Sequence, residues 1–206
     1  MNWDAITFLG DSTLLLPCAL FVFIAMLLAR DRTTAWQWAC WFGLTGAVVC
    51  ASKLAFMGWG IGIRSLNFTG FSGHAALSSC FWPVLFWLLG VRLPLIVRRA
   101  LVILGFSLAM VIGYSRLKVQ AHSVSEVMAG IALGVCTSSV FLLLQRNKAE
   151  PCILWGNLIT LIGVPVLLLN MGGKAPTQAL LEHIAVVITQ IEKPYTRADL
   201  LAGDDP

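Results

Sequence analysis

Charge is what this sequence has least of. Only 12% of its 206 residues are Asp, Glu, Lys or Arg, against roughly 25% in a soluble domain. With 58% hydrophobic residues and a mean hydropathy of +0.84, that scarcity excludes an ordinary water-soluble protein. The same hydrophobicity excludes a disordered chain. The cysteines, Cys18, Cys40, Cys50, Cys80, Cys136 and Cys152, form no Cys-x-x-Cys pair, so they read as small core residues rather than as disulfides or a metal site. No Gly-Lys-Ser/Thr follows Gly58, Gly60 and Gly62, so these glycines mark an irregular loop and not a nucleotide-binding P-loop. The net charge of +4 is small and scattered, which excludes a nucleic-acid partner. The first nine residues lack a basic stretch, so the first apolar run is expected to stay in the protein rather than be cleaved as a signal peptide.

Long apolar runs are what the sequence does have. They fall at about 13–29, 36–57, 74–90, 99–115, 124–144 and 153–171, each near the ~20 residues that cross a bilayer as helix. The expected fold is all-α: a polytopic membrane bundle of six transmembrane helices over 1–173, followed over 174–206 by an amphipathic helix and an acidic tail. Leu180, Leu181, Ile184, Val187, Ile188 and Ile191 recur at helical spacing, which predicts that helix from near Thr177 to Lys193. It is too polar on its other face to span; it either lies on the membrane surface or packs on the bundle. Asp199 to Pro206 are expected to fray.

Cations set the expected orientation. Arg30, Arg32, Arg92, Arg98, Arg99, Arg146 and Lys148 lie in the breaks after the first, third and fifth runs, which places those breaks in the cytoplasm and both termini outside. Lys53, Arg64, Arg116 and Lys118 then sit on the opposite side, against the trend, and need another explanation.

Polar residues gather at that outer side. Lys53 is near the end of the second run, Ser72, Gly73 and His74 open the third, Ser115 and Arg116 close the fourth, and His122 and Glu126 open the fifth. Ionisable residues beside membrane spans are costly to bury and mark functional sites by default. Each has a plainer reading. Lys53 suits snorkelling, Ser72 an N-cap, Arg116 a helix C-terminus, and Ser123 with Glu126 a capping box. The third histidine, His183, falls on the polar face of the tail helix and reads as a solvated residue. Together, however, the cluster suits a phosphate ester. Lys53 and Arg116 supply charge, and Ser72, the Gly73 amide and two helix N-termini supply donors. Two histidines supply a nucleophile and a general acid. If His122 lies inside the helix, Glu126 is one turn on and can orient it; the capping box instead leaves His122 just outside. The sequence leaves both open.

The run Ser115-Arg116, five residues, His122, three residues, Glu126 resembles the third motif of the phosphatidic acid phosphatase type 2 / vanadium haloperoxidase superfamily, in its membrane lipid phosphatase branch. Phe71-Ser72-Gly73-His74 resembles the second motif, with Phe71 in place of proline. Lys53 matches the lysine that opens the first. The first motif's Arg-Pro pair is missing: Gly60 and Ile61 stand there, and Arg64, four positions late, is the candidate substitute. Glu126 stands where the family has aspartate.

The resemblance implies a reaction that needs no metal and no cofactor and runs through a phosphohistidine. His122 attacks, Glu126 orients it, His74 protonates the leaving oxygen, and Lys53, Ser72, Gly73, Arg116 and Arg64 bind phosphate. It implies a phospholipid or isoprenoid-phosphate substrate in the bilayer of a bacterial inner membrane, with the site facing the periplasm. Two alternatives stay open: a lipid phosphotransferase with the same site, and a non-catalytic lipid- or partner-binding membrane protein.

Overall fold

The computed structural model describes residues 2–146 and 177–202. Among them there is no strand, only an isolated antiparallel bridge between Ile63 and Phe68. The helices are α1 (Trp3–Phe8), α2 (Ser12–Leu28), α3 (Arg32–Trp59), α4 (Gly73–Leu89), α5 (Leu95–Lys118), α6 (Val124–Gln145), α7 (Thr177–Thr189) and α8 (Arg197–Ala202), with a short 3-10 turn at Arg64–Leu66. Among the described residues, four segments are long and apolar enough to cross a membrane: Trp3–Leu28, Arg32–Trp59, Leu95–Lys118 and Val124–Gln145. The expected six spans are therefore supported only in part. The third run forms the 17-residue α4, short for a span. The sixth, 153–171, lies outside the described residues, as do Lys148 and Cys152.

Helix α4 is the centre of the bundle. Most of its residues, from Ala75 to Leu85, are buried, and it packs most extensively against α5 and α6. Small residues permit this. A side chain at Gly130 would meet the Ser72 carbonyl at 2.7 Å, and one at Gly134 would overlap the Ala76 carbonyl, so α6 lies directly on the α4 backbone, as small residues allow in membrane helices. Polar side chains add hydrogen bonds where the helices meet. Ser138 Oγ donates to the Ser79 carbonyl at 2.9 Å, Thr45 Oγ1 to Thr137 Oγ1 at 2.9 Å, and Thr34 Oγ1 to Gln145 Oε1 at 3.0 Å. Toward the arginine-bearing end, Trp38, Phe42, Phe81 and Phe141 form an aromatic cluster. Trp38 is 1% exposed, and its indole N–H donates to the Ala19 carbonyl at 3.0 Å. A buried indole needs such an acceptor.

The large exposed apolar side chains, Leu20, Ile24 and Leu28 on α2 and Ile96, Ile103 and Leu104 on α5, face outward, as expected of a surface in contact with lipid. Cys18 and Cys80 are buried, as expected of core cysteines, but Cys40, Cys50 and Cys136 are exposed.

The tail departs from expectation in two ways. α7 ends at Thr189 rather than Lys193, because Gln190 takes a left-handed conformation (φ 57°). Its inward face is Leu181 and Ala185, set against Phe56 and Met57 of α3. Leu180, Val187 and Ile188, placed by periodicity on one apolar stripe with Leu181, are exposed. The small Ala185 is what lets α7 lie close to α3, and the bulkier side chains are left exposed. Residues 199–202 are not frayed: they belong to α8, whose first turn is held by Asp199 accepting from the Thr196 amide and hydroxyl at 2.7 Å each.

Candidate active site

The site lies at the end of the bundle opposite Arg30, Arg92 and Arg146, where α3 and α5 finish and α4 and α6 begin. It starts from a helix cap. Ser123 N-caps α6 and Glu126 returns the bond, its Oε2 accepting from the Ser123 amide at 3.1 Å, so the capping box is complete. His122 stands just outside the helix, yet its Nδ1 lies 2.7 Å from the same Oε2. Of the two readings left open by the sequence, the capping box is the one realised, and its carboxylate still reaches the imidazole from outside the helix. Glu126 is fully buried and also accepts from the Thr69 amide at 2.8 Å and from the Thr69 hydroxyl. Its charge is matched by Arg197, whose Nη2 lies 2.8 Å from each oxygen.

The second histidine repeats the arrangement. Asp11 N-caps α2 through Oδ1, which accepts from the Thr13 amide at 2.9 Å, while its Oδ2 lies 3.4 Å from His74 Nε2. Gly10 makes this approach possible: a side chain there would meet Ile112 at 2.6 Å and Ser78 at 2.8 Å. Next to it, Thr7 Oγ1 lies 2.6 Å from Ser115 Oγ and accepts from Arg116 Nη1 at 3.4 Å. The N-terminal helix thus braces the end of α5 that carries Arg116.

Two cavities adjoin these residues. One, of about 450 Å³, is lined by Lys53, Arg116 and His122 together with Thr69, Gly70, Gln178, Glu182 and Arg197. The other, of about 320 Å³, is mainly apolar and is lined by Leu16, Phe42, Gly43, Gly46, Ala47, Leu77, Gly73 and His74. α7 walls both: Thr177 and Leu181 line the apolar cavity, Gln178 and Glu182 the polar one. Gln178 also accepts from Lys53 Nζ at 3.3 Å.

Of the candidates read from sequence, Lys53, Arg116 and His122 line the polar cavity, and Glu126 lies behind His122. Gly73 and His74 open onto the apolar one, with His74 within electrostatic reach of Arg116 and His122. Ser72 sits at the N-cap of α4 but makes no capping bond. Its hydroxyl and Arg116 Nε are buried with no hydrogen-bond partner among the described residues, as are the hydroxyls of Ser78 and Ser79 further along α4. Arg64 is exposed on the 3-10 turn and lines neither cavity. Two residues were missed. They are Asp11 and Arg197, since nothing in local spacing ties either to a histidine. Among the described residues, no three of His, Cys, Asp and Glu are arranged to hold a metal ion.

The His122 imidazole is 13% exposed. Burial, aided by the positive charges of Lys53 and Arg116, pushes its pKa below the ordinary histidine value; the contact with Glu126 opposes this and does not overcome it. A neutral imidazole whose Nδ1 faces a carboxylate keeps its Nε2 lone pair for attack.

The family model described as "PAP2 superfamily" matches residues 52–150, the stretch that holds Lys53, the His74 motif and the Arg116–His122–Glu126 set. The chain belongs to the PAP2 superfamily. Members of the PAP2 superfamily are generally phosphatases, so this PAP2 chain is read as an enzyme of that broad class. It is similar to a Klebsiella pneumoniae protein described as "Uncharacterized 22.5 kDa protein in cps region", with 54% identity over 204 residues covering 97% of this chain and 98% of the relative. No solved structure matches this PAP2 protein.

Proposed function

We propose that this PAP2 protein is a metal-independent lipid phosphatase that acts on a phosphate monoester or diphosphate at the outer, periplasmic face of a bacterial inner membrane. The observation that carries the proposal is the 2.7 Å contact between His122 Nδ1 and the buried Glu126, set at the wall of a cavity that also holds Lys53 and Arg116.

In the proposed reaction His122 Nε2 attacks phosphorus and the bond to the leaving oxygen breaks. His74, held by Asp11, gives that oxygen its proton. Water then attacks the phosphohistidine, gives a proton back to His74, and inorganic phosphate leaves. Lys53 and Arg116 bear the charge on the phosphoryl oxygens, and the unpartnered Ser72 hydroxyl is a further donor. Most of the rate gain would come from positioning and electrostatics, as in phosphoryl transfer generally. The apolar cavity beside His74 supports a lipid over a soluble ester, since a hydrocarbon chain there would leave its headgroup at the histidines.

The test is phosphate release by purified protein from undecaprenyl diphosphate, phosphatidylglycerophosphate, phosphatidic acid and a lipid A phosphate, with and without EDTA. Release that is unaffected by EDTA and lost in His122→Ala is expected. Release that needs a divalent metal, or that survives the substitution, rejects the mechanism. If wild type transfers phosphate to an added lipid acceptor faster than to water, the same site serves a phosphotransferase.

A further inference from the structure

We propose that the C-terminal segment 194–202 is part of the catalytic apparatus. Docked on the glycine edge of the loop after α3, it delivers Arg197 to Glu126, where Arg197 serves as a positioning residue for His122. This rests on the reading of His122 as the nucleophile.

The docking is built from both partners. The backbone at Gly60 is left-handed (φ 68°), and a side chain there would meet the Tyr195 ring at 2.7 Å. A side chain at Gly58 would meet Thr189 at 2.8 Å, and one at Gly62 would lie 3.2 Å from Leu200. Gly60 and Gly62, in the loop after α3, therefore form an edge free of side chains on which the segment 194–202 rests, whereas Gly58 lies inside α3 and lets α7 approach at Thr189. The Tyr195 amide donates to the Met57 carbonyl at 2.9 Å, and Tyr195 and Leu200 pack beside Phe56 and Met57. Arg197 opens α8, its Nη1 donating to Asn67 Oδ1 at 2.8 Å while its Nη2 meets both oxygens of Glu126. Gly60 stands where the family's first motif has arginine. A long side chain at that position would collide with Tyr195, so the departure from the motif and the docked segment fit one another.

The chemical consequence follows from charge. A fully buried carboxylate next to His122 holds a proton on the imidazole, and a protonated imidazole cannot attack. A guanidinium on the same carboxylate offsets this, so Glu126 orients Nδ1 while His122 stays neutral. The other groups facing His122 are Lys53 from α3, His74 from α4, Arg116 from α5 and Glu182 from α7.

The experiment follows the histidine ring resonances of the full chain in detergent across pH, without substrate, by NMR with isotopically labelled histidine. His74→Asn and His183→Asn variants assign the three signals. Arg197→Gln is expected to raise the His122 midpoint by about one pH unit. That corresponds to about a tenfold loss of activity at pH below the midpoint and little loss near pH 8. Arg197→Lys, which keeps the charge, is expected to move it by less. Gly60→Val, which displaces Tyr195, should reproduce the Arg197→Gln shift. The control Lys193→Gln removes a charge from the same tail and should leave the midpoint in place. An unchanged midpoint in Arg197→Gln overturns the proposal. So does a uniform loss of activity at every pH, or a raised KM with unchanged kcat, which would make Arg197 a ligand of substrate. Because the titration needs no turnover, its outcome stands apart from whether wild type releases phosphate.

Discussion

The end of the bundle that holds the candidate active site is organised by two carboxylates with the same double duty. Asp11 and Glu126 each cap a helix and each meet a histidine. Asp11 allows the two duties to be separated. Asparagine is as good an N-cap as aspartate, whereas alanine costs about 1 kcal/mol. Asp11→Asn should therefore keep its thermal midpoint and lose kcat by roughly tenfold or more, the scale of a misoriented acid–base group. Asp11→Ala should lose both. Equal activity in wild type and Asp11→Asn would show that the carboxylate does not serve His74. His122 makes a prediction about pH. Its pKa is held below the ordinary 6.5 by burial, and the neutral ring is the attacking form in the proposed reaction. The loss of rate that comes from protonating His122 should therefore set in only below pH 6.5. A pH profile of kcat/KM that already declines above pH 6.5 would contradict this assignment.

Much of the helical plan was legible in the sequence, because hydrophobic run length and charged breaks are local signals. The runs at 13–29, 36–57, 74–90, 99–115 and 124–144 correspond to α2 through α6, with ends shifted by a few residues. The capping box at Ser123 was legible for the same reason. The face of α7 that packs inward was not, since periodicity defines a stripe but not which of its members meets a neighbour. Ala185, absent from the apolar stripe read in the sequence, is the most buried residue of α7 at 1% exposure. Asp11 and Arg197 were illegible as site residues because their partners are distant in sequence. The position of α7 between the cavities carries a prediction of its own. Leu181 lines the apolar side, so Leu181→Trp narrows the space proposed for a hydrocarbon chain. Overfilling costs about 1 kcal/mol or more, which should raise KM for a long-chain substrate about fivefold. A short-chain analogue that does not reach the cavity should respond less. Equal effects on both would place the lipid chain elsewhere.

Across the whole molecule, the two ends differ in how their cations are used. At one end Arg30, Arg32, Arg92, Arg98, Arg99 and Arg146 stand with Asp31 as the described acidic residue among them. At the other, Arg197 pairs with Glu126, Lys53 lies in the field of Glu126 and Glu182, and Arg116 feels Asp11. The first end has the excess of positive charge that favours a cytoplasmic loop; at the second, Lys53, Arg116 and Arg197 are set beside carboxylates inside the fold. The balance accounts for Lys53 and Arg116, two of the cations that oppose the topological trend, and it predicts which end is outside. With the native cysteines replaced, chief among them the exposed Cys40, Cys50 and Cys136, a cysteine in place of Arg64 should react with a membrane-impermeant maleimide on intact cells. Arg64 is exposed beside the site loop, so the substitution disturbs no described contact. A cysteine in place of the exposed Arg99 should react only after the membrane is opened. The reverse pattern would put the histidines in the cytoplasm, and a periplasmic lipid headgroup could then not be the substrate.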